Sequence, residues 1–161
     1  VCAGISLEKI REVLKSFKGV EHRIEYVSTV NGIDFYNDSK GTNPDASIRA
    51  VCAMIKPTVL IAGGMSKGSE FDDFIKVFNN KIKAMVVLGE TADKIAETAK
   101  KYGFTNTYKV GTLEEAVDKA YSLANTGDCV LLSPACASWD MFESYEQRGN
   151  LFKFRVHELS N

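Results

Sequence analysis

Three apolar runs constrain the fold of this chain more than any other feature: Thr58-Val59-Leu60-Ile61-Ala62, Ala84-Met85-Val86-Val87-Leu88 and Cys129-Val130-Leu131-Leu132. None contains a charged residue, and each is followed by glycine or proline: Gly63-Gly64, Gly89 and Pro134. Short runs without polar alternation fit strands covered on both faces. Between them lie helical patterns. Phe71, Phe74, Ile75 and Phe78 share one helical face after a candidate cap at Ser69. Thr91 begins a segment that turns Ile95, Ala96 and Ala99 inward and stops at Gly103. Thr112 and Glu115 form a capping box for a helix through Ala124. Strands alternating with helices give an α/β fold with three layers and a mostly parallel sheet.

The ends of the chain add to that frame. Ser6 caps a helix to Phe17, with Leu7, Ile10, Leu14 and Phe17 on one face and Gly19 as its stop. Glu21 to Glu25 reads as a polar connector, with His22 and Arg23 solvated. Asn31-Gly32 sits between two strand patterns, Ile24–Val30 and Ile33–Asn37. That dipeptide signals a type I′ hairpin, so the sheet gains one antiparallel strand. Asn43 caps and Pro44 opens a helix ending near Ile55. Thr107–Val110 reads as a short strand, and the last helix as Leu151 to Leu159, with His157 on its exposed side.

A parallel sheet gathers its strands' carboxyl ends at one edge, where ligands bind in open α/β sheets. Three loops fall there: Asp38 to Asn43, Gly63 to Gly68, and Ser133 to Ser138. They carry small residues, hydroxyls, Lys40 and Lys67. Together with helix N-termini they predict a pocket for carboxylates or phosphates. The Gly63–Gly68 loop is not a Walker A motif, because Lys67 precedes Gly68. Neither His has metal-ligand spacing with another His or Cys, so no metal site is expected.

Composition narrows the function further. The 161 residues suit one domain, and a net charge of −1 gives no field for nucleic acid or an anionic membrane. No apolar run approaches the ~20 residues of a membrane span. The N-terminus lacks a signal-peptide pattern and an initiator Met, which points to a piece of a longer, cytoplasmic chain. The four cysteines, Cys2, Cys52, Cys129 and Cys136, form no CxxC pair and read as reduced structural thiols. Cys136 is a candidate nucleophile without a partner His in sequence.

One stretch is denser in aromatic and charged groups than its neighbours: Ser133-Pro134-Ala135-Cys136-Ala137-Ser138, then Asp140, Phe142 and Tyr145-Glu146-Gln147-Arg148-Gly149. It resembles the C-terminal signature of the Mur ligases, ATP-dependent enzymes of peptidoglycan synthesis, and within them the D-glutamate-adding branch. Asp38-Ser39-Lys40-Gly41-Thr42-Asn43, His22-Arg23 with Glu25, and Gly63-Gly64 with Lys67 resemble the family's other motifs. Gly41 stands where Ala is commoner, and Trp139 and Tyr145 stand where relatives commonly have Leu and Phe.

The resemblance implies a Rossmann-like C-terminal domain over residues 19–161, with residues 1–18 as a trailing helix of a central ATPase domain. It implies D-glutamate contacts from Thr42, Lys67, Ser138, Trp139 and Tyr145. It places Arg23, Asp38 and Lys40 towards the nucleotide, with Lys40 as the catalytic residue. The partners implied are D-glutamate, UDP-N-acetylmuramoyl-L-alanine, ATP with Mg2+, and the preceding domains of the same chain. This chain alone is expected to bind no cofactor and to be inactive. Alternatives are a related Mur or folylpolyglutamate-type ligase domain, or a non-catalytic ligand-binding module.

Overall fold

The computed structural model describes residues 4–17 and 19–160. Twelve elements run in the order α1 (Leu7–Ser16), β1 (Glu25–Val30), β2 (Ile33–Asn37), α2 (Pro44–Ala53), β3 (Thr58–Gly63), α3 (Asp72–Lys76), β4 (Ile82–Leu88), α4 (Ala92–Lys101), β5 (Thr107–Lys109), α5 (Leu113–Leu123), β6 (Cys129–Leu132) and α6 (Tyr145–Glu158). One six-stranded sheet has the order β1-β2-β6-β3-β4-β5. Only β1 is antiparallel to its neighbour. Asn31 and Gly32 both have positive φ, as a type I′ turn requires. Cys2, read as a structural thiol, lies outside the described residues.

The apolar runs place β3, β4 and β6 inside the sheet, because alternate residues serve opposite faces. Leu60, Met85 and Leu131 pack with Val51 of α2, Phe74 of α3 and Ile95 of α4. Val59, Ile61, Val86 and Val130 pack with Val117 of α5 and Phe152 of α6. The three-layer expectation therefore holds. Among the described residues, no helix is long and apolar enough to cross a membrane.

Three sequence expectations give way to tertiary structure. Ser69 caps no helix: α3 is five residues long, with Phe71 at its N-cap position and no side-chain cap. Its expected apolar face survives, since Phe71, Phe74, Ile75 and Phe78 are all buried. The last helix begins at Tyr145, capped by the Ser144 hydroxyl, rather than at Leu151. Gly149 lies inside it, and a Cβ there would collide with the His22 ring. His22, in turn, is 4% exposed and not a solvated connector residue.

Candidate active site

The three loops do converge. Ser133 Oγ donates to Asp38 Oδ2 at 2.7 Å and lies 2.8 Å from Ser47 Oγ on α2. Ala135, at φ 58°, donates its N–H to Ser47 Oγ. The second loop joins through Gly63 N–H to Pro134 O and Met65 N–H to Ala137 O. Gly63 and Gly64 have φ values of 116° and 138°, and a Cβ on either would strike a backbone carbonyl, of Leu88 or Ala137. The double glycine is thus required by left-handed backbone and by chain approach together.

Where the loops meet, a pocket of about 290 Å³ is lined by Thr42, Lys67, Ala137, Ser138, Trp139, Ser144, Tyr145 and Glu146. All five residues expected to hold an amino acid are in this set. Lys67 Nζ lies 4.7 Å from the centre of the Trp139 ring. Lys40 Nζ donates to the Tyr145 hydroxyl at 3.0 Å and lies 5.0 Å from its ring centre. These cation–π contacts set one ammonium group in the pocket lining and a second against Tyr145, neither with a carboxylate partner among the described residues. The first residues of α6 line the wall, so its positive end faces the pocket. The helix behind Lys67, α3, is too short at five residues to supply such an end.

Larger open hollows, of about 390 and 420 Å³, lie near the other ends of the strands. They gather no comparable set of hydroxyls and cations from the three loops, so chemistry rather than size singles out the first pocket.

Asp38 is placed differently from expectation. It is 1% exposed and cannot touch a nucleotide in this conformation. Its carboxylate accepts from Ile24 N–H at 3.2 Å and from Ser133 Oγ, joining the connector to the loop after β6. Burial pushes its pKa above the ordinary Asp value, partly opposed by those hydrogen bonds. Arg23 is exposed, and its guanidinium makes no hydrogen bond or ion pair among the described residues. The backbone is left-handed on both sides of it, at His22 (φ 61°) and Ile24 (φ 44°). Such a β-branched outlier costs on the order of 1–3 kcal/mol.

Cys136 is 3% exposed, and burial pushes its thiol up to about 11, so it is not poised as a nucleophile. Its Sγ rests 3.2 Å from Thr91 Oγ1. Among the described residues, no group of three His, Cys, Asp or Glu side chains could hold a metal ion.

With this geometry, a family model described as Mur ligase, glutamate ligase domain, matches residues 22–136. The chain belongs to the Mur ligase family. A UDP-N-acetylmuramoylalanine–D-glutamate ligase of Thermoanaerobacter sp. (strain X514) is 60% identical to this Mur ligase domain over 159 residues. The match covers 98% of the chain and 35% of that enzyme, so the chain spans about a third of the relative's length. The UDP-N-acetylmuramate-alanine ligase of Thermotoga maritima shares the fold, with a TM-score of 0.68 at 18% identity over 98% of this chain and 35% of that one. A bifunctional folylpolyglutamate synthase/dihydrofolate synthase of Yersinia pestis does too, with a TM-score of 0.65 at 18% identity, covering 95% and 35%. That structure is a complex with AMPPNP and Mn ion.

One residue that organises this Mur ligase site had no role assigned from sequence. Arg148 of α6 is 3% exposed. Nε donates to Ser39 Oγ, Nη2 to Ser39 O and Cys136 O, and Nη1 to Cys136 O and Ala137 O, at 2.9–3.3 Å. It ties the loop after β2 to the loop after β6. Burial lowers its pKa to about 10, which leaves it charged at neutral pH. The available signal was an Arg amid small residues, whose planar fork suits several backbone carbonyls at once.

Proposed function

We propose that this chain is the C-terminal, D-glutamate-binding domain of a ligase that joins D-glutamate to UDP-N-acetylmuramoyl-L-alanine with hydrolysis of ATP. The observation that carries the proposal is the gathering of Thr42, Lys67, Ser138, Trp139 and Tyr145 around one pocket. The identity to a relative named for that reaction supports it. D-Glutamate carries two carboxylates and an amine, and the pocket offers an ammonium, the hydroxyls of Thr42, Ser138, Ser144 and Tyr145, a helix N-terminus and the carboxylate of Glu146. Thr42 and Ser138 donate hydrogen bonds, Lys67 supplies charge, and the rings of Trp139 and Tyr145 wall the carbon chain.

In this reading ATP converts the L-alanyl carboxylate to an acyl phosphate. The D-glutamate amine then attacks that carbonyl, forming the amide and releasing phosphate. The domain's contribution is to position the amine and stabilise developing negative charge. Lys40 stands beside Tyr145 at the pocket edge and is the catalytic cation of the proposal. Arg23, exposed on the connector and unpaired among the described residues, reaches the nucleotide as the domains close. Asp38 acts from below by holding Ile24 and Ser133. ATP and Mg2+ are partners of the whole enzyme.

Residues 1–18 belong, on this proposal, to the preceding ATPase domain. In support, α1 buries none of its own residues, and Leu7, Leu14 and Phe17 are 67%, 69% and 63% exposed. Such a stripe fits a helix whose cover lies elsewhere.

The test is Lys67→Ala in the full-length ligase. A charge-assisted contact to a carboxylate contributes ~1.5–3 kcal/mol, so the D-glutamate KM should rise roughly ten- to hundred-fold. The KM for ATP should stay nearly unchanged. Titration with D-aspartate and L-glutamate checks selectivity in parallel. An alanine variant with wild-type D-glutamate kinetics at low salt overturns the assignment of Lys67.

A further inference from the structure

His22 is buried between the connector, β2 and α6, and the reading above gives it no task. Its surroundings determine where its proton sits. Asn37 Nδ2 lies 2.9 Å from His22 Nδ1 and 3.0 Å from Glu25 Oε2. Asn37 Oδ1 accepts the N–H of Ser39 at 3.1 Å. Turning the amide over would set its oxygen against the Glu25 carboxylate and its NH2 against the Ser39 N–H. The amide is therefore fixed as drawn, with both of its hydrogens committed. Since Asn37 donates towards Nδ1, that nitrogen must accept, and the ring proton belongs on Nε2.

We infer that His22 is a positioning residue for the amino-acid pocket, acting as a neutral imidazole with its proton on Nε2, and that adding a second proton loosens the pocket. This rests on the D-glutamate reading above. Protonation at Nδ1 sets an N–H against the Asn37 N–H, so Asn37 must move. Asn37 holds Ser39 through its N–H. Ser39 Oγ donates to Tyr145 O at 2.7 Å and accepts Arg148 Nε at 3.0 Å. Tyr145 meets the His22 ring edge-on, with centroids 6.0 Å apart, and its hydroxyl holds Lys40. The His22 carbonyl accepts the Lys40 N–H at 3.0 Å. A change at one nitrogen thus reaches both Tyr145 and Lys40.

The charges around the ring come from three elements. Glu21 on the connector has Oε1 3.8 Å from Nε2, and Glu25 on β1 accepts the His22 N–H at 2.9 Å. On α6, Glu146 lies within electrostatic reach, and Lys153 pairs with Glu21 at 2.5 Å and Glu25 at 3.4 Å. Arg23 and Lys40 are the neighbouring cations along the connector and its loop.

The test uses full-length ligase labelled with ¹⁵N-histidine, wild type and His22→Asn. Asn tolerates the left-handed backbone and does not titrate. The signal lost in the variant assigns His22; His22→Gln serves should His22→Asn fail to fold. At neutral pH the assigned ring should show the neutral Nε2–H form. In parallel, the D-glutamate KM is measured for both enzymes as pH is lowered. At pH 8 the variant should have a KM higher by about three- to tenfold. That ratio should fall towards one as wild-type His22 takes up its second proton. Titration of the substrate amine affects both enzymes alike and cancels in the ratio.

An Nδ1–H tautomer or an imidazolium at neutral pH overturns the inference, as does a KM ratio that does not change with pH. Failure of the D-glutamate reading looks different: neither enzyme then uses D-glutamate at any pH, while the tautomer is still read from the spectrum.

Discussion

Arg148→Ala should remove the tie that joins two of the pocket loops, and its size follows from the hydrogen bonds. The Ser39 and Cys136 carbonyls lose the guanidinium as their partner. The Ala137 carbonyl keeps Met65 N–H, and Ser39 Oγ keeps the Tyr145 carbonyl. Two orphaned buried acceptors at ~1–3 kcal/mol each give about 2–6 kcal/mol. Removing a buried cation returns part of this, so a net loss of ~1–4 kcal/mol is expected. For a domain of ordinary stability, ~5–15 kcal/mol, that is a large fraction. The assay is urea unfolding of the chain. With m near ~2 kcal/mol/M, the midpoint should drop by about 0.5–2 M at unchanged m. Arg148→Lys should recover only part, because one ammonium cannot span Ser39 and both carbonyls. An alanine variant whose midpoint lies within about 0.3 M of wild type would refute the reasoning.

Two further predictions concern the connector. Asp38 has a raised pKa in the fold, so the folded state binds its proton more tightly than the unfolded state. Stability should therefore fall as pH rises from the ordinary Asp range through that raised value. Asp38→Asn can keep the Ile24 bond and donate to Ser133 Oγ, so in thermal unfolding the stability of wild type relative to the variant should fall as pH rises above the ordinary Asp range; a difference that grows with pH refutes the assignment. Arg23→Ala in the full-length ligase should raise the KM for ATP and leave that for D-glutamate unchanged. A change confined to D-glutamate would move Arg23 to the other ligand.

Local chemistry was readable from the sequence wherever neighbours in the chain settle the structure. Asn31-Gly32 specified its turn, Asn43-Pro44 opened α2, and the Thr112–Glu115 box formed with both hydrogen bonds. The loop convergence followed from strand direction alone. What escaped was decided across the fold. The last helix looked as if it began at Leu151, yet it runs from Tyr145 through Gly149, on which His22 packs too closely for a Cβ. His22 looked solvated because its neighbours in sequence are charged, whereas Asn37, Tyr145 and Gly149 bury it. Ser69 looked like a cap, but its carbonyl instead accepts Lys94 Nζ at 2.9 Å. Arg148 read as one charge among several, and only the folded loops give its fork five acceptor contacts.

The strand order carries a consequence for how the molecule is made. β6 follows the other five strands in the chain yet lies between β2 and β3, at the middle of the sheet. Until it emerges from the ribosome, the β1–β2 hairpin and the β3–β4–β5 unit have no shared strand to join them. Each half then presents an unpaired edge of apolar backbone, the kind that recruits other chains. The pocket waits longer still, since Tyr145 and Arg148 follow β6. Assembly of this sheet is a late, long-range event, and such pairings are slow to form. A polypeptide interrupted just before Cys129 would hold most of the sheet's residues and lack the strand that joins its two halves.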